Sequence, residues 1–193
     1  PWLQTPYMAL GKWGLLGEGM GQRELAWLAH ETLDRHVAKN LLQSDVLFAL
    51  SGSGLRCGQA AQRRGAKYVC DRGSSHIRYQ DVILHDEFAR WGERFPGIDS
   101  RVVAKEEAEY ETADIVTVPS TFAHRSFVEM GVPDSKLRKV PYGVDLRRFQ
   151  KVADPDPETF DVLFVGQVSF RKGIPDLIKA FQHLKHPKKR LRC

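Results

Sequence analysis

The residues best placed to do chemistry lie in one short stretch, Gly166-Gln-Val-Ser-Phe-Arg-Lys-Gly173. Glycine opens and closes this turn, and Arg171 and Lys172 stand just ahead of a segment with helical spacing. Free N–H groups at a helix start, the positive end of the helix dipole and two cations converge there, which suits a phosphate or diphosphate. The phosphate loop of ATP-binding proteins needs Gly-Lys-Ser/Thr, whereas here Phe170 and Arg171 precede Lys172 and Gly173 follows it, so that loop is set aside. Upstream, Asp71, Arg72, His76 and Arg78 crowd the end of an apolar run, where ligands of open α/β sheets bind. Glu106, Glu107, Glu109 and Glu111 form a third polar group. On a helix they point in several directions among polar neighbours, so they read as a solvated face and not as a metal or paired-carboxylate site.

Alternating apolar runs and helical stripes must hold these groups in place. Leu25, Leu28, Ala29, Leu33, Val37 and Leu41 mark one face of a first helix, and Asp45 to Leu50 is a strand ended by Ser51-Gly-Ser-Gly54. A weaker helix over residues 55–64 leads to a second strand at Lys67 to Cys70. Ile77, Leu84, Phe88, Trp91 and Phe95 stripe the next helix, and a shorter one runs to Thr112. A strand follows Asp114, Ser120 or Thr121 caps another helix, and Gly131 stops it. Pro141 has no N–H for a ladder and ends the following strand. The run from Val162 to Val165 reads as a strand buried on both faces of a parallel sheet. Ile174, Leu177, Ile178, Phe181 and Leu184 then mark a helix with Pro175 in its first turn and Asp176 at its positive end. The order predicts an α/β chain with parallel sheets and crossover helices. Pro1 to Gly21 shows neither period.

Gly52-Ser-Gly54, between a strand and a helix and followed by a second strand ending at Asp71, looks like the opening of a dinucleotide-binding fold. The fingerprint's third glycine is misplaced, since Cys57 fills its slot and Gly58 comes one residue late. An NAD-dependent oxidoreductase using the Gly52 and Gly54 loop is therefore the alternative reading.

Three segments together resemble a larger family. They are the strand and glycine turn at Phe160 to Gly173, the Ala113-Asp114 strand with its Ser120-capped helix and Gly131-Val-Pro133 turn, and Pro141-Tyr-Gly-Val-Asp-Leu-Arg-Arg-Phe149. They resemble the retaining nucleotide-sugar-dependent glycosyltransferases of the GT-B fold, the family 4-like "glycosyl transferases group 1". The resemblance implies Rossmann-like parallel sheets: the later part of an acceptor domain over 1–150, a linker over 151–159, and the first β-α unit of a donor domain over 160–193. It implies transfer of a sugar from a nucleoside-diphosphate sugar to an acceptor hydroxyl with retention of configuration, in carbohydrate biosynthesis. Gly166, Gln167, Arg171, Lys172 and Gly173 are then the donor-phosphate residues, opposing charge on the leaving diphosphate without a metal. His76 is the histidine near the transferred sugar, and Gly143 and Asp145 lie at the interdomain cleft. The family often has arginine where Gln167 stands, and its donor-domain glutamate pair has no counterpart here. By this resemblance the sequence reads as truncated at both ends and inactive as it stands. A nucleotide-sugar-binding module without chemistry is a further alternative.

Composition narrows the partners. The formal net charge is +5, but the last ten residues carry five cations and no acid, so the basicity belongs to that end and reads as a solvated helix terminus rather than a nucleic-acid site. Three cysteines, odd in number and without metal-ligand spacing, read as reduced thiols and a cytoplasmic location. No apolar run is long enough to span a bilayer, so at most peripheral membrane contact is expected. No cofactor beyond the nucleotide-sugar co-substrate is implied.

Overall fold

The computed structural model describes residues 20–193, so the unpatterned stretch at the start lies almost wholly outside the described residues. These residues form two units: one takes the chain up to Val82 together with Pro96–Tyr142, and the other comprises Ile83–Phe95 with Gly143–Cys193.

The first unit is built on four parallel strands, β1 (Val46–Leu50), β2 (Lys67–Asp71), β3 (Ile115–Val118) and β4 (Leu137–Lys139), lying side by side in chain order. Helix α1 (Met20–Lys39) precedes them; α2 (Leu55–Gln62) links β1 to β2, α3 (Ile77–Arg90) and α4 (Ser100–Thr112) lie between β2 and β3, and α5 (Thr121–Glu129) links β3 to β4. Crossovers of one hand in a strictly sequential sheet all fall on the same face. The burial agrees. Tyr68, Cys70, Val116, Val118 and Leu137 pack with Ile77, Val103, Tyr110, Ala123 and Phe127 from the helices, with Leu47 and Ala49 at the margin. The alternate residues of β1 point to the other face, and Val46, Phe48 and Leu50 are exposed there. Short polar side chains start the helices: Asp99 accepts the Arg101 N–H at 2.9 Å and Ser120 the Ala123 N–H at 3.1 Å.

The inner side of α1 is not the leucine face read from its spacing. Leu28 is about half exposed, while Glu31 and Asp34 are buried beside Ala29. Both carboxylates meet the Lys105 ammonium of α4, at 2.6 and 3.0 Å, and a buried charge met in this way is tolerated where a lone one is not.

In the second unit, β5 (Phe160–Leu163), α6 (Ile174–His183) and β6 (Lys189–Arg192) make a parallel β-α-β unit. The basic terminus is thus a strand and not a solvated helix end. Two of the strand's cations are occupied: Lys189 donates to the carbonyls of Phe181, Gln182 and Leu184 and so caps the end of α6, and Arg190 pairs with Asp161 at 2.6 Å. The expectation of a strand buried on both faces fails as well. Phe160, Leu163 and Val165 are exposed, because a two-stranded sheet with one helix has too few neighbours to cover them.

Candidate functional site

The turn that carries the anion chemistry lies between β5 and α6. Residues 164–169 leave the strand as a loop with Gly166 and Gln167 exposed, and Phe170–Lys172 form one 3-10 turn. Gly173 then adopts φ +71°, a left-handed conformation that costs glycine nothing, and starts α6. Two contacts within this unit anchor the turn on either side of the cations. The Phe170 ring lies 4.6 Å from that of Phe88, and Asp176 in the first turn of α6 accepts from Arg90 at 2.6 Å. Arg171 and Lys172 are themselves exposed, and neither forms an ion pair or side-chain hydrogen bond among the described residues. Gly143 is open, and Asp145 accepts from Arg147 N–H while pairing with its guanidinium, which holds the Asp145 carboxyl below its ordinary range.

The Gly52 loop of the first unit is differently disposed, because its donors are already taken. Glu109 accepts the N–H of Gly52 at 2.5 Å and of Gly54 at 2.8 Å. Asp34 accepts the N–H groups of Arg56 and Cys57 at the start of α2, at 3.0 and 2.9 Å. Internal carboxylates thus occupy the positions a pyrophosphate would take. The glycines have a packing reason instead. A Cβ on Gly54 would strike the Tyr68 hydroxyl, and one on Gly58 would lie 2.5 Å from the Tyr68 ring. Among the described residues that buried hydroxyl has no hydrogen-bond partner.

His76 is buried, its ring 5.0 Å from Tyr110 and 5.1 Å from Phe127. Burial pushes its pKa down to about 4, so the ring is neutral near pH 7. Its Nδ1 accepts the Arg78 N–H at 3.3 Å, which places the ring proton on Nε2, and it lines a shallow groove with Glu107 and Lys136. Neighbouring Arg72 reaches Glu106 at 2.8 Å, and Glu106 accepts from the Tyr110 hydroxyl at 2.5 Å.

Glu106 and Glu109 are therefore not part of a solvated face: both are buried, and only Glu107, paired with Arg78, and Glu111 look outward. The signal was present in the stripe Val103, Glu106, Tyr110, Ala113, whose apolar members pass straight through the acids at helical spacing. Burial pushes the Glu109 carboxyl up to about 7 in spite of its two N–H donors.

Beside this loop, at the C-terminal end of β1, is a cavity of about 310 Å³. Ala26, Trp27, Ile98 and Val102 form its apolar wall, and His30, Ser51 and Glu106 supply polar groups. Among the described residues no group of three or more His, Cys, Asp or Glu is placed to hold a metal ion, and no helix is long and apolar enough to cross a membrane. No protein-family model, curated protein or solved structure matches the chain.

Proposed function

We propose that the protein is a glycosyltransferase that moves a sugar from a nucleoside-diphosphate sugar to a hydroxyl acceptor, with the turn before α6 as its diphosphate site. The observation that carries this reading is the pair of exposed cations, Arg171 and Lys172, without an ion-pair partner among the described residues and held one and two residues ahead of a left-handed glycine that opens a helix after a parallel strand. A diphosphate brought there meets the helix N-terminus and both charges together. In bond cleavage negative charge grows on the leaving diphosphate, and donors already aimed at it lower the barrier; loss of one such donor costs about 3 kcal/mol. The sequence resemblance adds the reaction class. Against the NAD reading stand Glu109 and Asp34, which already fill the N–H groups of the other glycine loop.

Thermal stabilisation by UDP, GDP, ADP and NAD at matched concentration tests the proposal, since a ligand at a hundred times its dissociation constant adds about 2.7 kcal/mol of stability. A nucleoside diphosphate should stabilise the protein, and Lys172→Ala should abolish the effect. Stabilisation by NAD alone, or a diphosphate response that survives Lys172→Ala, overturns it.

A further inference from the structure

The cavity in the first unit differs in its chemistry from the phosphate turn of the second. Its charged groups are already balanced. Lys105 is held by Glu31 and Asp34, Glu106 by Arg72 and the Tyr110 hydroxyl, and Asp99 by Arg101 at 2.6 Å. Arg23 stands near the Asp99 carboxylate, which it helps Arg101 to hold below its ordinary range, and directs its guanidinium to the Gly97 carbonyl at 3.1 Å. A phosphate or carboxylate entering here would have to compete with these carboxylates for their cations, whereas a neutral molecule would not.

Polar capacity without net charge remains. His30 uses Nδ1 on the Ser53 hydroxyl at 2.7 Å, which leaves Nε2 for a ligand, and burial together with nearby Lys105 keeps its pKa below the usual histidine value. The Glu106 carboxylate spends part of its capacity on Arg72 and Tyr110, and two oxygens offer about four acceptor sites in all. Beside these lie the apolar lining residues, and the Trp27 indole among them is approached by the Arg101 guanidinium at 5.2 Å and the Lys105 ammonium at 5.8 Å. An apolar lining with a few hydrogen-bonding groups is how small-molecule sites are built, and the end of a parallel strand is where α/β sheets place them.

We infer that this cavity binds a neutral hydroxylated ring, a monosaccharide or cyclic polyol, with its apolar face on Trp27 and its hydroxyl edge on His30 and Glu106. Occupancy rests on the first unit alone; a role for the ring as sugar acceptor also rests on the transfer reading proposed above.

The test is ligand-observed NMR titration of the protein with glucose, mannose, galactose and myo-inositol, alongside glucose 6-phosphate and glucuronate. Two variants accompany it: Ala26→Phe, which fills the cavity from α1, and His30→Ala, which removes one hydrogen-bonding group. Circular dichroism melting confirms that each variant is folded. At least one neutral ring should bind, with affinity lowered about tenfold or more in Ala26→Phe and by a smaller factor in His30→Ala. Binding of none of the neutral rings, binding unchanged by a folded Ala26→Phe, or tighter binding of the charged analogues overturns the inference. Ring binding by a protein that fails the nucleotide test keeps the cavity assignment and removes only the acceptor role.

Discussion

Glu109 and Gly54 are 55 positions apart in the chain, and the carboxylate of the first accepts the buried N–H of the second at 2.8 Å. The same carboxylate holds Gly52, so one side chain on α4 completes the hydrogen bonding of the loop after β1. Glu109→Ala leaves both donors without a partner, and a buried donor left unsatisfied costs about 1–3 kcal/mol. We expect a loss of about 2–4 kcal/mol in urea unfolding. A loss below about 0.5 kcal/mol, the range of ordinary surface changes, would mean that the loop finds other partners.

The pH dependence has a definite sign. Glu109 is raised from 4.5 to about 7, so its folded form favours the proton; its contribution to stability is present below pH 4.5 and lost as pH rises to about 7. His76 is lowered from 6.5 to about 4, so its contribution is present above pH 6.5 and lost as pH falls through 4. Relative to Glu109→Gln, the wild type should lose stability on the order of 2 kcal/mol between pH 4.5 and 7. Relative to His76→Gln, it should lose stability in the opposite direction, from pH 6.5 down to 4. Urea unfolding at half-unit pH steps reads both slopes, and parallel curves for wild type and variant refute the corresponding assignment.

The Tyr68 contacts give a rescue experiment. Gly54→Ala collides with the hydroxyl and Gly58→Ala with the ring carbons, and such overpacking costs about 1–3 kcal/mol. Tyr68→Phe removes a buried hydroxyl that has no partner among the described residues, so by itself it should be neutral or stabilising by about 1 kcal/mol. In combination it should restore part of the stability lost in Gly54→Ala and none of that lost in Gly58→Ala. Equal rescue of both by thermal melting contradicts this packing.

Lys105→Met tests the buried charge cluster. It leaves Glu31 and Asp34 without their shared ammonium, and breaking a buried pair from one side costs about 3–5 kcal/mol. A variant that melts with the wild type would show that solvent already screens these charges.

Much of the first sheet was legible because β1, β2 and β3 hold apolar runs, as β1 does in Val46 to Leu50, and because Pro141 follows closely on β4. The turn at Gly173 was legible for the same local reason. What could not be read depends on distant partners. Lys-Arg-Leu-Arg has a single apolar residue, and becomes β6 only when α6 returns it beside Asp161. Lys105, Glu106 and Glu109 look like surface residues until α1, Arg72 and the Gly52 loop are placed against them. The cavity beside Trp27 was missed entirely, since its walls come from α1, α4 and the loop after β1.

The sequential sheet also sets an order of events in time. Each of β2, β3 and β4 joins the strand made just before it, so pairing can advance with synthesis and needs few distant partners. Two closures cannot keep that pace. The loop after β1 and the inner carboxylates of α1 must wait for Glu109 and Lys105, more than fifty residues later. A ribosome halted before α4 would therefore hold a nascent chain with its first two strands available and its first loop still without the carboxyl group that completes its hydrogen bonding.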